Sequence, residues 1–322
     1  MEKKYNVFAT RRLHKSALAK IQNSCNLKVH SGRIPIPKKI LLKNIKNVDG
    51  LICHPYDTID HEIIENGQHL RSISTFSVGY DHIDIKFAKS KKITIGYTPK
   101  VLTNATAELT IGMILDLLRR ITEGDRIIRK KLWKEVFGAY DYTGIEVSGR
   151  TLGIIGMGRI GKEVARKATG LGMKVVYHNR KHVTKNIEKR LKAKYLTLDK
   201  LIKESDIITL HVPYNKETHH LIDSKVFKKM KKTSFLINTS RGKMVDEIAL
   251  INALKKKHIL GAGIDVFETE PISKSNSLLK LENVVLAPHI GSSTEETRSK
   301  MSEITAENLL RGLQGKKLLY SV

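Results

Sequence analysis

Short apolar runs alternate with amphipathic segments along nearly the whole chain, and this alternation restricts the fold more than any other feature. Apolar runs of strand length joined through helix-like segments describe strands covered on both faces, connected by crossovers, as in a parallel sheet. In the first third the runs fall at residues 5–10, 27–30, 50–53, 70–76 and 93–97, with helical segments between them, among them 14–24 and 37–45. A long helix is expected over 104–120, continuing past a break near Gly124 to Trp133, before a polar loop with Gly138, Gly144 and Gly149. A second series of strands is expected at 151–155, 174–177, 207–212, 235–238, 261–266 and 284–287. Helices at 160–170, 198–204, 224–230 and 247–256 connect them. A last helix, 294–313, is expected to return to the first series. The pattern is α/β, with two doubly wound parallel-sheet domains.

A chain of 322 residues can bury two such cores. No apolar stretch reaches the length of a membrane span, and the first residues carry no long apolar region of a secretory signal. Two cysteines, Cys25 and Cys53, cannot make a disulfide framework, so a cytoplasmic location is expected. The formal charge of +26 favours anions and would hold nucleic acid loosely. The lysines are scattered, and no helix-turn-helix, zinc knuckle or aromatic stacking motif accompanies them. A nucleic-acid function is not expected, nor is a metal.

Gly156-Met157-Gly158-Arg159-Ile160-Gly161 follows the strand-like Leu152-Gly153-Ile154-Ile155 and opens a helix-like segment. In that context a GxGxxG turn reads as a dinucleotide site. Gly156 allows the tight turn, Gly158 the approach of a pyrophosphate, and Gly161 close packing of helix on strand. The helix N-terminus offers its N–H groups to the phosphates. The next strand ends Tyr177-His178-Asn179-Arg180-Lys181, with no acidic residue for the ribose hydroxyls before Glu188. Arg180 and Lys181 would attract a 2′-phosphate, so NADP(H) is expected to be preferred, with NAD(H) possible. The alternative is that Arg180 only stacks on adenine.

Three residues downstream each follow a strand-like run: Arg241 in Asn238-Thr239-Ser240-Arg241-Gly242, Glu270 before Pro271, and His289 in Pro288-His289-Ile290-Gly291. An arginine fork suits holding a carboxylate and polarising a neighbouring carbonyl. A histidine suits delivering a proton near neutral pH, and a carboxylate beside it fixes its tautomer. Those are the parts needed to reduce a 2-oxo acid with a hydride. His178, His211, His219 and His220 read as structural.

With these motifs, together with Ser77-Val78-Gly79-Tyr80-Asp81-His82, Gly96-Tyr97-Thr98-Pro99 and Thr106-Ala107-Glu108, the chain resembles the D-isomer-specific 2-hydroxyacid dehydrogenases over almost its whole length. Within them it is most similar to glyoxylate/hydroxypyruvate reductases. The resemblance implies that Arg241, Glu270 and His289 are catalytic and that Val78 and Gly79 bind the substrate carboxylate by their amides. It implies cofactor contacts at Thr106, Val212, Pro213, Thr239, Ser240, Arg241, Asp265, His289 and Gly291, beside Arg159 and Ile160 of the turn. It implies a Rossmann-type cofactor domain, residues 101–289, inserted in a flavodoxin-like substrate domain of residues 1–100 and 290–322, with the active site in the cleft, and a homodimer built largely through the cofactor domain. The substrate would be a small 2-oxo or 2-hydroxy acid. One departure stands out: Cys53-His54-Pro55-Tyr56 replaces a Leu-Ser-like pair in a loop that faces the substrate in the family. Two other readings stay open. One is a different D-2-hydroxyacid dehydrogenase, such as a D-3-phosphoglycerate or phosphite enzyme. The other is a non-enzymatic NAD(H)-sensing corepressor of the same fold.

Overall fold

The computed structural model describes residues 4–322, which form two compact units. One unit is split: the chain up to Leu102 joins Ser292–Val322. The other, Thr103–Gly291, is inserted between these two parts.

The split unit runs β1 (Tyr5–Ala9), α1 (Lys15–Ser24), β2 (Cys25–Val29), α2 (Lys38–Ile45), β3 (Gly50–Cys53), α3 (His61–Asn66), β4 (Ser72–Thr75), α4 (Ile85–Ser90) and β5 (Thr94–Gly96). Its strands are all parallel, in the order β2-β1-β3-β4-β5, the flavodoxin-like arrangement. Every residue of β3 and β4 is buried, as a sheet covered on both faces requires. Asp60 and Asp84 cap α3 and α4 through side-chain bonds to Ile63 N and Phe87 N, which fixes where those short helices start.

The inserted unit begins with α5 (Thr103–Arg119) and α6 (Ile121–Arg129). The break between them lies at Arg120, not near Gly124, and the second helix stops short of Trp133. Arg120 takes a left-handed φ of 55°, and the Asp116 carboxylate accepts from both Thr122 N and Thr122 Oγ1 at the start of the new helix. Gly124 continues the helix, facing the Tyr142 ring. There follow β6 (Thr151–Ile155), α7 (Arg159–Gly170), β7 (Lys174–His178), α8 (Lys185–Leu191), β8 (Ala193–Tyr195), α9 (Leu198–Glu204), β9 (Ile207–Leu210), α10 (Ser224–Lys229), β10 (Phe235–Asn238), α11 (Glu247–Lys255), β11 (Gly261–Ile264) and β12 (Val284–Leu286). The parallel strands lie in the order β12-β11-β10-β9-β6-β7-β8. The chain reverses its direction of winding between β6 and β9, so the crevice of this doubly wound sheet lies beyond their carboxyl ends.

The final helix, α12 (Glu295–Leu313), belongs to the split unit. Its Met301, Ala306, Leu309 and Leu313 bury against Val7, Ala9 and Ile52 of the sheet. The expected return of this helix therefore completes the cover of one face of the first sheet, beside Ala17 and Ile21 of α1. No helix among the described residues is long and apolar enough to cross a membrane.

Candidate active site

The glycine turn sits at the switch point of the inserted unit's sheet. Gly156 directly follows β6 with a φ of +105°, a conformation that L side chains rarely adopt. A Cβ there would also lie 2.6 Å from the carbonyl of His211, which follows β9. Gly161 faces back at the turn, where a Cβ would lie 2.1 Å from the Gly156 carbonyl oxygen. Both glycines are thus required by the protein's own packing. Gly158 is different: a Cβ there would meet nothing within 4 Å. Space left open at the N-cap of α7, where no side chain caps the first turn, fits the approach of a dinucleotide pyrophosphate. Helices α9, α10 and α11 of the same unit are capped by Thr197, Asp223 and Asp246. Arg159 is exposed and Ile160 half-buried in that first turn.

Beyond β7, the Asn179 side chain turns inward and accepts from Met157 N at 2.7 Å, bracing the glycine turn. Arg180 and Lys181 are exposed. Arg180 Nη1 lies 3.5 Å from Glu217 Oε2, in the loop that follows β9, with both side chains largely in solvent. In that loop Val212 is half-buried and Pro213 exposed, and the Val212 carbonyl accepts from Ser240 Oγ at 2.8 Å.

Three neighbouring strands deliver the three residues singled out for chemistry. Arg241 follows β10, Glu270 follows β11, and His289 follows β12. His289 Nδ1 lies 2.7 Å from Glu270 Oε2, and both side chains are mostly shielded, at 23% and 16% exposure. The other Glu270 oxygen accepts from Phe267 N at 2.9 Å, so the carboxylate is held at both ends. With Nδ1 facing the carboxylate, a proton delivered by this ring would leave from Nε2. His289 has a left-handed φ of 56°. It is held there by its own amide, which donates to the Asp265 carbonyl, and by the next two amides, Ile290 N and Gly291 N, which donate to the two Asp265 carboxylate oxygens at 2.7 and 2.9 Å. Burial raises the Asp265 carboxyl above its usual range, against the two amides and the nearby imidazole, which lower it. Thr106, at the start of α5, closes the same corner by donating to the Gly291 carbonyl at 3.0 Å. Thr239 is buried on Thr110 Oγ1 at 3.0 Å. Arg241 is half-buried, with Nη1 donating to the Ser240 carbonyl at 2.9 Å.

Val78 and Gly79 lie in the split unit, beyond the carboxyl end of β4, half-exposed. Among the described residues neither amide donates to an acceptor, and both are therefore available to a carboxylate. Beside them the departing loop follows β3. His54 is buried against Phe76, with ring centroids 4.9 Å apart. Asp57 Oδ2 accepts from Thr10 Oγ1 and from His54 N, and the Arg11 guanidinium lies over the Tyr56 ring.

Sequence reasoning missed the amide cage of Asp265 and a second histidine–carboxylate pair, His220 with Glu268, whose partners are 48 residues apart. Only the proximity of Glu268 to Glu270 hinted at it. It also missed a cavity of about 350 Å³ lined by Arg120, Arg126, Phe235, Gly261 and Val284. That cavity opens at the amino ends of β10, β11 and β12, the end of the sheet away from Arg241 and His289.

The sequence profile described as "D-isomer specific 2-hydroxyacid dehydrogenase, NAD binding domain" matches residues 111–291. A glyoxylate reductase of Korarchaeum cryptofilum is 44% identical over 312 residues, covering 97% of this chain and 94% of its own. A crystal structure of a Thermus thermophilus protein superposes with a TM-score of 0.92 at 39% identity, covering 98% of this chain and 99% of that one. The NADPH-dependent glyoxylate/hydroxypyruvate reductase of Sinorhizobium meliloti, crystallised with NADP and malonate, gives 0.86 at 27% identity, covering 99% and 97%.

Proposed function

The chain belongs to the D-isomer specific 2-hydroxyacid dehydrogenase family and is an NAD(P)-dependent oxidoreductase, and we propose that it reduces glyoxylate and hydroxypyruvate to glycolate and D-glycerate. The observation that carries this reading is the His289–Glu270 pair, held at 2.7 Å beside the strand that bears Arg241. Arg241 holds the substrate carboxylate and polarises its carbonyl. His289 delivers a proton from Nε2 to the oxygen of the former carbonyl. Glu270 keeps the imidazole oriented. The glycine turn, Thr106, Val212, Pro213, Thr239, Ser240, Asp265 and Gly291 hold the cofactor. A reduced nicotinamide bound there supplies the hydride to C2.

The cofactor preferred is NADP(H). The support is the ending Asn179-Arg180-Lys181, two cations without a carboxylate, on the strand that faces the adenosine ribose in this fold. Charge-assisted bonds to a 2′-phosphate are worth about 1.5–3 kcal/mol before solvent screening. The exposure of Arg180 and its contact with Glu217 reduce this, and a preference of about tenfold is expected.

The protein acts as a homodimer joined through α6 and the segment after it. Ile121, Ile128, Leu132, Trp133, Val136 and Tyr140 are exposed there, close together along the chain. An apolar patch of this kind on an enzyme surface marks an association site. Ile128→Glu with Val136→Glu should yield monomer by analytical ultracentrifugation, while wild type sediments as dimer.

The functional test is a panel of 2-oxo acids assayed with both reduced cofactors, with the hydroxypyruvate product resolved by chirality. D-Glycerate from hydroxypyruvate and faster turnover of glyoxylate than of phenylpyruvate are expected. A strong preference for the bulky acid would overturn the small-substrate assignment.

A further inference from the structure

The inserted unit contains a second histidine–carboxylate pair that the proposed chemistry does not use. His220 Nε2 lies 2.6 Å from Glu268 Oε1, with both side chains about one-third exposed. Its position is unusual in two respects. His220 takes a left-handed φ of 49°, as His289 does, and a non-glycine residue keeps that conformation only when its surroundings impose it. The backbone around it is also tied to the segment directly after Arg241. His220 N donates to the Lys243 carbonyl at 2.9 Å and Ile222 N to the Met244 carbonyl at 3.1 Å. The side chain reaches the other way, to Glu268, two residues before Glu270. The two segments it bridges already touch: a Cβ on Gly242 would fall 1.9 Å from the Phe267 carbonyl carbon. Phe267 N in turn holds Glu270 Oε1.

We propose that His220 is a positioning residue: its backbone fixes the segment that follows Arg241, its side chain fixes the segment that ends in Glu270, and the two therefore act from one frame. A displacement of about an ångström in such a frame is enough to slow a positioned reaction by orders of magnitude. His220 does not donate the transferred proton. Its imidazole is engaged by Glu268, and its effect reaches the substrate only through Arg241 and through the Glu270–His289 pair.

This inference rests on the catalytic assignment of Arg241, Glu270 and His289 made above. The experiment compares His220→Ala, His220→Gln, Glu270→Gln and His289→Ala in the full-length enzyme. Gln places an amide N–H donor near the position of Nε2 and keeps the contact with Glu268. For His220→Ala the expected result is a fall in kcat of about tenfold with a several-fold rise in the KM for glyoxylate. Cofactor Kd and Tm should stay near wild type. His220→Gln should recover most of the activity. The inference is overturned if His220→Ala matches wild type. It is also overturned if Gln fails to rescue, or if the losses in rate, cofactor affinity and Tm run in parallel, as a purely structural residue would give. If Glu270→Gln and His289→Ala themselves leave turnover intact, the catalytic assignment fails and this inference fails with it. If those two are impaired and His220→Ala is not, only the inference fails.

Discussion

The carboxyl edges of the two sheets are built on the same plan but finished differently. In the inserted unit the polar groups there are answered by other groups of the chain. Asp265 takes two amides, Glu270 takes His289 and Phe267 N, Glu268 takes His220, and Asn238 Nδ2 donates to the Arg241 carbonyl. In the split unit the corresponding edge carries buried atoms with no partner among the described residues, Arg11 Nε, His54 Nε2, Asp57 Oδ1 and Thr98 Oγ1. Three of the four lie at β1 and β3, in or beside the loop where the sequence departs from the family. A buried polar group without a partner costs about 1–3 kcal/mol. One edge is therefore a preorganised apparatus, and the other holds hydrogen-bonding capacity that the protein does not itself consume.

The comparison is broken most severely by removing the central group of the finished edge. His289→Ala should lower kcat by roughly 10²–10⁴-fold, the usual contribution of general acid catalysis, with cofactor Kd nearly unchanged. Turnover at the wild-type rate would move the proton donor elsewhere. A smaller effect is expected where the inserted unit is not preorganised. Arg180 faces only an exposed Glu217 at 3.5 Å, so Arg180→Ala should raise the KM for NADPH about tenfold, or about 1.4 kcal/mol, and spare NADH. Equal use of both cofactors by wild type would remove the basis for that preference.

The next test sets two histidines against each other by pH. Burial, then the charges of Arg11, Arg298 and His82, push the His54 imidazole well below its ordinary value of 6.5, and burial pushes His211 down to about 3. Both are neutral in the folded protein and protonate more readily when unfolded. Their contribution to stability is therefore complete above pH 6.5 and is lost as pH falls from there towards the folded values. Each contributes at most about 1.4 kcal/mol per pH unit. Thermal unfolding followed from pH 7 to pH 4 should show falling Tm, and a flat profile would contradict the neutral assignment. His54→Leu sharpens the point and is the smallest effect. It removes an unpartnered buried nitrogen, whereas His211 Nε2 is paired with Thr209 Oγ1 at 2.9 Å. His54→Leu should raise stability by about 1 kcal/mol and flatten the acid slope, and His211→Leu should do the opposite to stability by stranding the Thr209 hydroxyl. Chemical denaturation of both variants decides between them.

Much of the fold was legible because its signals are local. Strand-length apolar runs and a glycine turn between strand and helix are readable within a few positions. What was hidden depends on contacts between distant segments. The break at Arg120 is imposed by Asp116 reaching forward to Thr122, not by the glycine four residues on. The short β8 exists by pairing with β7 at Val175–Tyr177, since its own three residues carry no strand pattern. At the site, the identities of Arg241, Glu270 and His289 were readable from their motifs. The pairing of His220 with Glu268 was not, because neither residue's neighbours in sequence name the partner. Nor was the left-handed backbone at either histidine, which follows from the amides that Asp265 and Lys243 engage.

The placement of α12 has a consequence for how the molecule is made. One face of the first sheet, on which α1 sets Ala17 and Ile21, stays incompletely covered until residues Met301–Leu313 have emerged, and the whole inserted unit is synthesised in between. At a translation rate of about 5–20 residues per second, the apolar face of β1 and β3 waits on the order of ten to forty seconds for the rest of its cover. During that interval the inserted unit, whose sheet and helices are contiguous in the chain, can complete its own core. The enzyme therefore matures from its middle outwards: a chain ending at Gly291 and released from the ribosome should resist protease from Thr103 onward, while the segment before it is digested.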